Sequence, residues 1–174
     1  SRTPIREAIR KLELEGLVLM IPRKGAEVAE ITEKNLRDVL EVRGALEELA
    51  VQLACERMDN EKLKELHAAA DHFREILDSD DITAIGEADE AFHDVIFAAT
   101  DNTRLIQLLN NLREQMYRYR IEYLKKKECH PQLLEEHAAI MKAIEEHDKE
   151  KATQITIQHI ANQADTVVDT LRHR

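Results

Sequence analysis

Apolar side chains along this chain recur at two different periods. From about residue 32 onward they fall three and four apart, the period of helices that each bury one stripe. Leu36, Val39, Leu40, Leu46, Leu49 and Leu53 predict a helix over roughly 32–58, with Thr32 as its N-cap. Leu63, Leu66, Ala70, Phe73 and Leu77 predict a second near 60–78, and a third runs over about 82–99 to the turn-like ATDN. A fourth covers about 103–127, and a fifth starts at Pro131, a residue suited to a first helical turn. HDKE divides the fifth from a sixth that reaches about 171. Between residues 30 and 174 the only breakers are Gly44, Gly86 and Pro131. Short links between six such helices predict an all-α fold, a compact antiparallel six-helix bundle.

The first thirty residues follow another pattern. SRTPIREAIRKLELEG predicts a helix capped by Thr3, with Pro4 at its first position and Gly16 closing it. LVLMI and AEVAEI are short apolar runs joined by PRKG, the pattern of a β-hairpin. A helix and hairpin with arginines at the helix start and hairpin tip form the back half of a winged helix-turn-helix. The chain is therefore expected to divide into a DNA-binding segment, 1–30, and a helical domain, 31–174.

Charge sharpens that division. Residues 1–25 carry a net +3, which leaves −13 on the rest of a chain whose formal charge is −10. Only the head is suited to a polyanion. Charged residues at 34% and hydrophobic residues at 43% give a globular balance. No apolar run approaches the ~20 residues that span a bilayer. No secretory signal opens the chain, and Cys55 and Cys129 are isolated, as expected of reduced thiols in a cytoplasmic protein.

Against this background DEAFHDVIF, residues 89–97, poses a chemical problem. Ala88, Phe92 and Ile96 mark a buried face, and Asp89 and His93 stand on it one turn apart. Of the eight histidines, His67, His72, His130, His147 and His173 fall at edges, links or ends. His137 lies one turn from Leu133, Leu134, Ile140 and Met141. His159 lies in line with Ala152, Ile155, Gln163 and Val167. Three imidazoles from three helices thus point at one core, beside a carboxylate that costs several kcal/mol to bury unpaired. A divalent cation held by Asp89, His93, His137 and His159 resolves this. Zn2+ suits one hard oxygen and three nitrogens, and Ni2+, Mn2+ or Fe2+ also fit. The alternative is a hydrogen-bonded Asp–His network without metal.

Arg43 also lies on its helix's apolar stripe, and an inward guanidinium requires an anion. Either Glu47, one turn on, pairs with it, or a ligand carboxylate does. Tyr117-Arg118-Tyr119-Arg120 either lines such a cavity or, as favoured by its two charges, forms a solvated face. At the head, Ser1, Arg2, Thr3 and Arg6 cluster at a helix N-terminus, where phosphate and guanine edges bind well. A plain capped surface helix is the other reading, and the Arg-Lys-Gly hairpin tip favours DNA.

These stretches carry a resemblance. SRTPIREAIRKLELEGLV with PRKGAEVAEI resembles the end of the winged helix-turn-helix of GntR-type transcriptional regulators. EVRGALEELAV, DEAFHDVIFAATDNTRL, EEHAAIMKAIEEHD and IQHIANQ resemble, in order, the signatures of the FCD ligand-binding domain of the FadR branch. The resemblance implies a metal set of Asp89, His93, His137 and His159, an effector-binding arginine at Arg43, DNA contacts at Arg2, Thr3 and Arg6, and a wing glycine at Gly25. Six effector helices resemble the VanR-type subgroup. Against the family pattern the chain begins inside the DNA-binding domain, so it is expected to be a fragment of one.

The function expected is that of a bacterial transcription factor, most simply a repressor. It would act as a homodimer on operator DNA and respond to a small organic acid bound at the metal and Arg43. A metalloenzyme is the main rival, disfavoured because no stripe-facing Glu, Lys or Ser near the four ligands is an evident general base. A metal that only staples the bundle is the other.

Overall fold

The computed structural model describes residues 2–173, apart from the side chain of Arg2. Helix α1 (Arg2–Leu14) leads into an antiparallel hairpin of β1 (Val18–Ile21) and β2 (Gly25–Val28), with Val18 opposite Val28 and Ile21 opposite Gly25. Six α-helices follow among the described residues: α2 (Glu33–Arg57), α3 (Asn60–Ile76), α4 (Ile82–Ala99), α5 (Thr103–Leu124), α6 (His130–Glu145) and α7 (Lys149–Arg172). The six-helix expectation holds.

Local chemistry sets the boundaries. Thr32 caps α2 as expected, its Oγ1 accepting from the Asn35 amide at 3.1 Å. Asp59, Asp81, Asn102 and Asp148 do the same for α3, α4, α5 and α7. The expected cap at Thr3 is corrected, because α1 already includes Arg2 and places Thr3 in its first turn. Pro4 is tolerated there, since first-turn amides have no intrahelical acceptor. Gly16, at φ +72°, ends α1, and Gly25, at φ +104°, closes the hairpin where a side chain would be strained.

Helix α5 stops at Leu124, three residues short of expectation. His130 explains the stop. Expected in a link, it is instead buried at the start of α6, with Nε2 2.8 Å from the Leu124 carbonyl oxygen, one of the last in α5.

Helix α2 packs along α7, α3 against α4, and α6 against α7. Gly86 lets α4 close on α5, since a Cβ there would meet Ile121 Cδ1 at 2.9 Å. The buried apolar residues described form two large clusters and a small one. One large cluster holds Leu36, Phe73, Ile85, Tyr123 and Leu133, the other holds Val51, Leu66, Phe92, Ile140 and Ile144, and the small one holds Ala50, Leu105 and Leu109. Along α2, α4, α6 and α7 the buried polar residues fall between or beside these sets. No helix among the described residues is long and apolar enough to cross a membrane.

Candidate metal centre

That polar layer collects Arg43 and the four candidate metal ligands. Asp89 and His93 come from α4, His137 from α6, His159 from α7 and Arg43 from α2, and all five are buried. The three imidazole rings form a near-equilateral triangle, with centroids 5.2 Å apart for His93–His137, 5.4 Å for His93–His159 and 5.3 Å for His137–His159. Each offers one nitrogen such that all three lie within 4.8 Å of one another. Phe92 stacks on His137 at 4.2 Å and fixes its plane.

Asp89 lies beside the triangle, its Oδ1 3.4 Å from His137 Nε2, but outside the group of atoms within 4.8 Å of one another, which the three histidines form alone. Arg120 Nε approaches Asp89 Oδ2 to 2.7 Å as an ion pair, but without hydrogen-bond alignment. Neither Asp89 oxygen, nor His93 Nε2, nor either nitrogen of His137 has a hydrogen-bond partner among the described residues. Buried polar atoms rarely stay unpaired, and two imidazoles and a carboxylate are the ligand types a divalent ion takes. Burial, outweighing the nearby Asp89 charge, pushes His137 down to about 3. Burial and the neighbouring imidazoles hold His93 well below its ordinary value. Both are therefore neutral, as metal ligands must be. The residues fit the ion.

His159 is held differently. Its Nδ1 donates to Glu136 Oε2 at 2.7 Å, which leaves Nε2 facing the cluster. A carboxylate behind a ligating imidazole fixes its tautomer and raises its basicity. Burial works to raise the Glu136 carboxyl, but hydrogen bonds from His159, Asn162 and Gln132 outweigh it and keep the group ionised.

Of the two partners open to Arg43, Glu47 is the one engaged: Arg43 Nε donates to Glu47 Oε1, and Nη1 donates to Gln163 Oε1 at 3.2 Å. Arg43, Glu47, His93 and Arg120 line a cavity with about 30 Å³ of free space, room for about two waters. Arg113 spans its rim, bonded to Glu90 and, at 2.8 Å, to Asp94. The solvated reading of the Tyr117–Arg120 run is corrected at Tyr119 and Arg120, which are buried because α5 packs against α2, α4 and α7. Sequence reasoning also missed Glu136, and Glu47 as a member of the layer. The expectation that no stripe-facing Glu stands near the four ligands is corrected by Glu47, buried on α2 and lining the same cavity as His93. Arg120 carried a signal, one turn beyond Met116 on a buried stripe. Glu136 carried only its place at a stripe's edge.

The head residues stand apart from this layer, on α1 and the hairpin. Thr3, Arg6 and Gly25 are exposed. Ser1 and the Arg2 side chain lie outside the described residues.

The FCD domain family matches residues 38–162. The HTH-type transcriptional repressor GlaR of Escherichia coli is 30% identical over 166 residues, covering 90% of this chain and 75% of its own length. The Nta operon transcriptional regulator of Aminobacter aminovorans is 28% identical over 176 residues, covering 99% of this chain and 80% of its own. The structure of E. coli McbR/YncC superposes with a TM-score of 0.86 at 20% identity, over 97% of this chain and 85% of that one, a likeness of fold. The chain belongs to the FCD-domain family of GntR-type transcriptional regulators.

Proposed function

We propose that this chain is a metabolite-responsive repressor whose bundle holds one divalent ion through Asp89, His93, His137 and His159. It would read a small organic acid beside Arg43. The observation that supports this most directly is the convergence of three buried imidazoles, nitrogens within 4.8 Å of one another, with the buried Asp89 carboxylate 3.4 Å from one of them. Zn2+ suits the donor set first, and Ni2+, Mn2+ and Fe2+ are compatible. A bound ion would supply a Lewis-acidic anchor for a ligand carboxylate.

Arg43 would hold the other side of that carboxylate. With about 30 Å³ free beside it, the cavity would have to widen to admit an organic acid, by movement of its lining side chains or of α4 and α5. Helix α5 also reaches the head, because Arg118 Nη2 donates to the Ala29 carbonyl just after the hairpin at 2.6 Å. A shift of α5 would thereby change how the head sits on DNA. The head would contact operator DNA through Arg2, Thr3 and Arg6 on α1 and through the hairpin at Gly25, as a homodimer in the cytoplasm. Coupling of ~1–3 kcal/mol is enough to switch occupancy. Its relatives' naming as transcriptional regulators, rather than any lack of acidic groups, favours this over a metalloenzyme.

Metal analysis tests the reading. Purified chain retains about one divalent ion per subunit, and a chelator lowers its melting temperature. His137→Ala or His159→Ala abolishes retention, whereas His72→Ala, at an exposed position, leaves it unchanged. Equal metal content in all three variants refutes the assignment. A purely structural ion is a second reading, favoured by the Arg43–Glu47 pair already formed in the core; the Arg43 variants argued below separate the two.

A further inference from the structure

We propose that Gln163 couples metal binding at His159 to the readiness of Arg43, an inference that rests on the metal reading above. Gln163 lies one turn after His159 on α7 and is buried. Its side-chain amide donates to His159 Nε2 at 3.1 Å, and its Oε1 accepts from Arg43 Nη1 at 3.2 Å. A carboxamide nitrogen can only donate, so His159 Nε2 accepts, and the ring proton sits on Nδ1, 2.7 Å from Glu136 Oε2. Nε2 therefore holds the one lone pair this imidazole has for a metal, and Gln163 occupies it.

A lone pair cannot accept an N–H and coordinate a cation together. Ligation at His159 requires the Gln163 amide to withdraw. Flipping in place does not solve the conflict, since it sets Oε1 against the His159 lone pair and the amide N–H groups against the Arg43 guanidinium. The side chain must swing away, and Arg43 Nη1 then loses its acceptor. A buried guanidinium N–H without an acceptor is costly, and an incoming carboxylate satisfies it. Gln163 thus imposes an order: metal first, organic acid second.

The test measures Zn2+ affinity of the metal-free chain by competition with a chromophoric chelator. Gln163→Met keeps a similar volume but cannot donate to His159. Its Zn2+ affinity rises about two- to tenfold over wild type, the worth of one net hydrogen bond, while His159→Ala loses binding. Unchanged or weaker affinity in Gln163→Met, with the His159→Ala loss intact, overturns the role of Gln163 alone. Wild-type affinity in His159→Ala overturns the metal reading beneath it. Imidazole 15N shifts of the metal-free wild type need no variant: protonated Nδ1 and bare Nε2 on His159 support the proposal, and a protonated Nε2 overturns it.

Discussion

Arg120 Nε stands 2.7 Å from Asp89 Oδ2 with both side chains buried, so one α5 cation neutralises the carboxylate that α4 turns toward the three histidines. Without metal this pair keeps Asp89 from being an isolated charge in the core. A bound cation would take over that task. Arg120→Met should therefore destabilise the metal-free chain by about 3–5 kcal/mol, the range for breaking a buried pair from one side. The Zn2+-loaded chain should lose much less. Urea unfolding of both proteins, with and without Zn2+, reads the difference, and an equal loss in both forms would show that the ion does not meet Asp89.

Cys55 should be chemically quiet although its thiol is free. Burial, with help from Asp148, raises it from 9.0 to about 11, so roughly one molecule in a thousand carries the thiolate at pH 8. Iodoacetamide should label Cys129, which is half-buried, well before Cys55, and urea should equalise the two. The raised value also fixes a sign. The unfolded chain releases this proton near 9 and the folded chain near 11, so Cys55 favours the folded state below that window and loses the contribution as pH rises through it. Equal labelling of both thiols in the folded chain at pH 8 would contradict the burial.

The helices were readable because each buries one stripe, and a stripe such as Leu36, Leu40, Val51 and Ala54 needs only local spacing to be seen. The buried polar layer was readable for the same reason, since polar residues at Asp89, His93, His137 and His159 interrupt stripes that are otherwise apolar. What escaped depends on partners from other helices. Arg120 looked solvated within YRYR because one helix's period does not show that α5 is packed by three others. Glu136 sits at the edge of α6 and gains its role only where α7 brings His159 within 2.7 Å. His130 hid in a link because its bond to the Leu124 carbonyl belongs to a turn, which has no period.

The head should bind DNA as a cationic surface with a few base contacts. Arg6 is exposed on α1, as are Arg23 and Lys24 at the hairpin tip. Affinity for operator DNA should fall steeply with salt, as phosphate neutralisation demands. Arg6→Ala should cost about 1–3 kcal/mol on the operator and little on unrelated DNA if it reads a base edge. Lys24→Ala should weaken all sequences alike and lower the salt slope by about one. Binding assays over a salt series separate these patterns, and a uniform Arg6 effect on every sequence would reduce it to a phosphate contact.

Arg43 separates a receptor from a staple. In the receptor, a ligand carboxylate bridges the ion and the guanidinium, replacing the Glu47 contact of Arg43 and taking the place that Gln163 vacates when the ion binds. Arg43→Ala should then leave the ion bound but remove most affinity for small organic acids, a loss on the order of 2–5 kcal/mol. Arg43→Lys should rescue little, because an ammonium cannot present two parallel N–H groups to a carboxylate. Glu47→Gln supplies a control from the opposite side. It removes the internal competitor for Arg43, so organic-acid affinity should hold or rise. Calorimetry with Zn2+-loaded protein and a panel of small carboxylates measures all three. If Arg43→Ala binds an acid as tightly as wild type does, Arg43 serves only to neutralise Glu47, and the acid binds elsewhere.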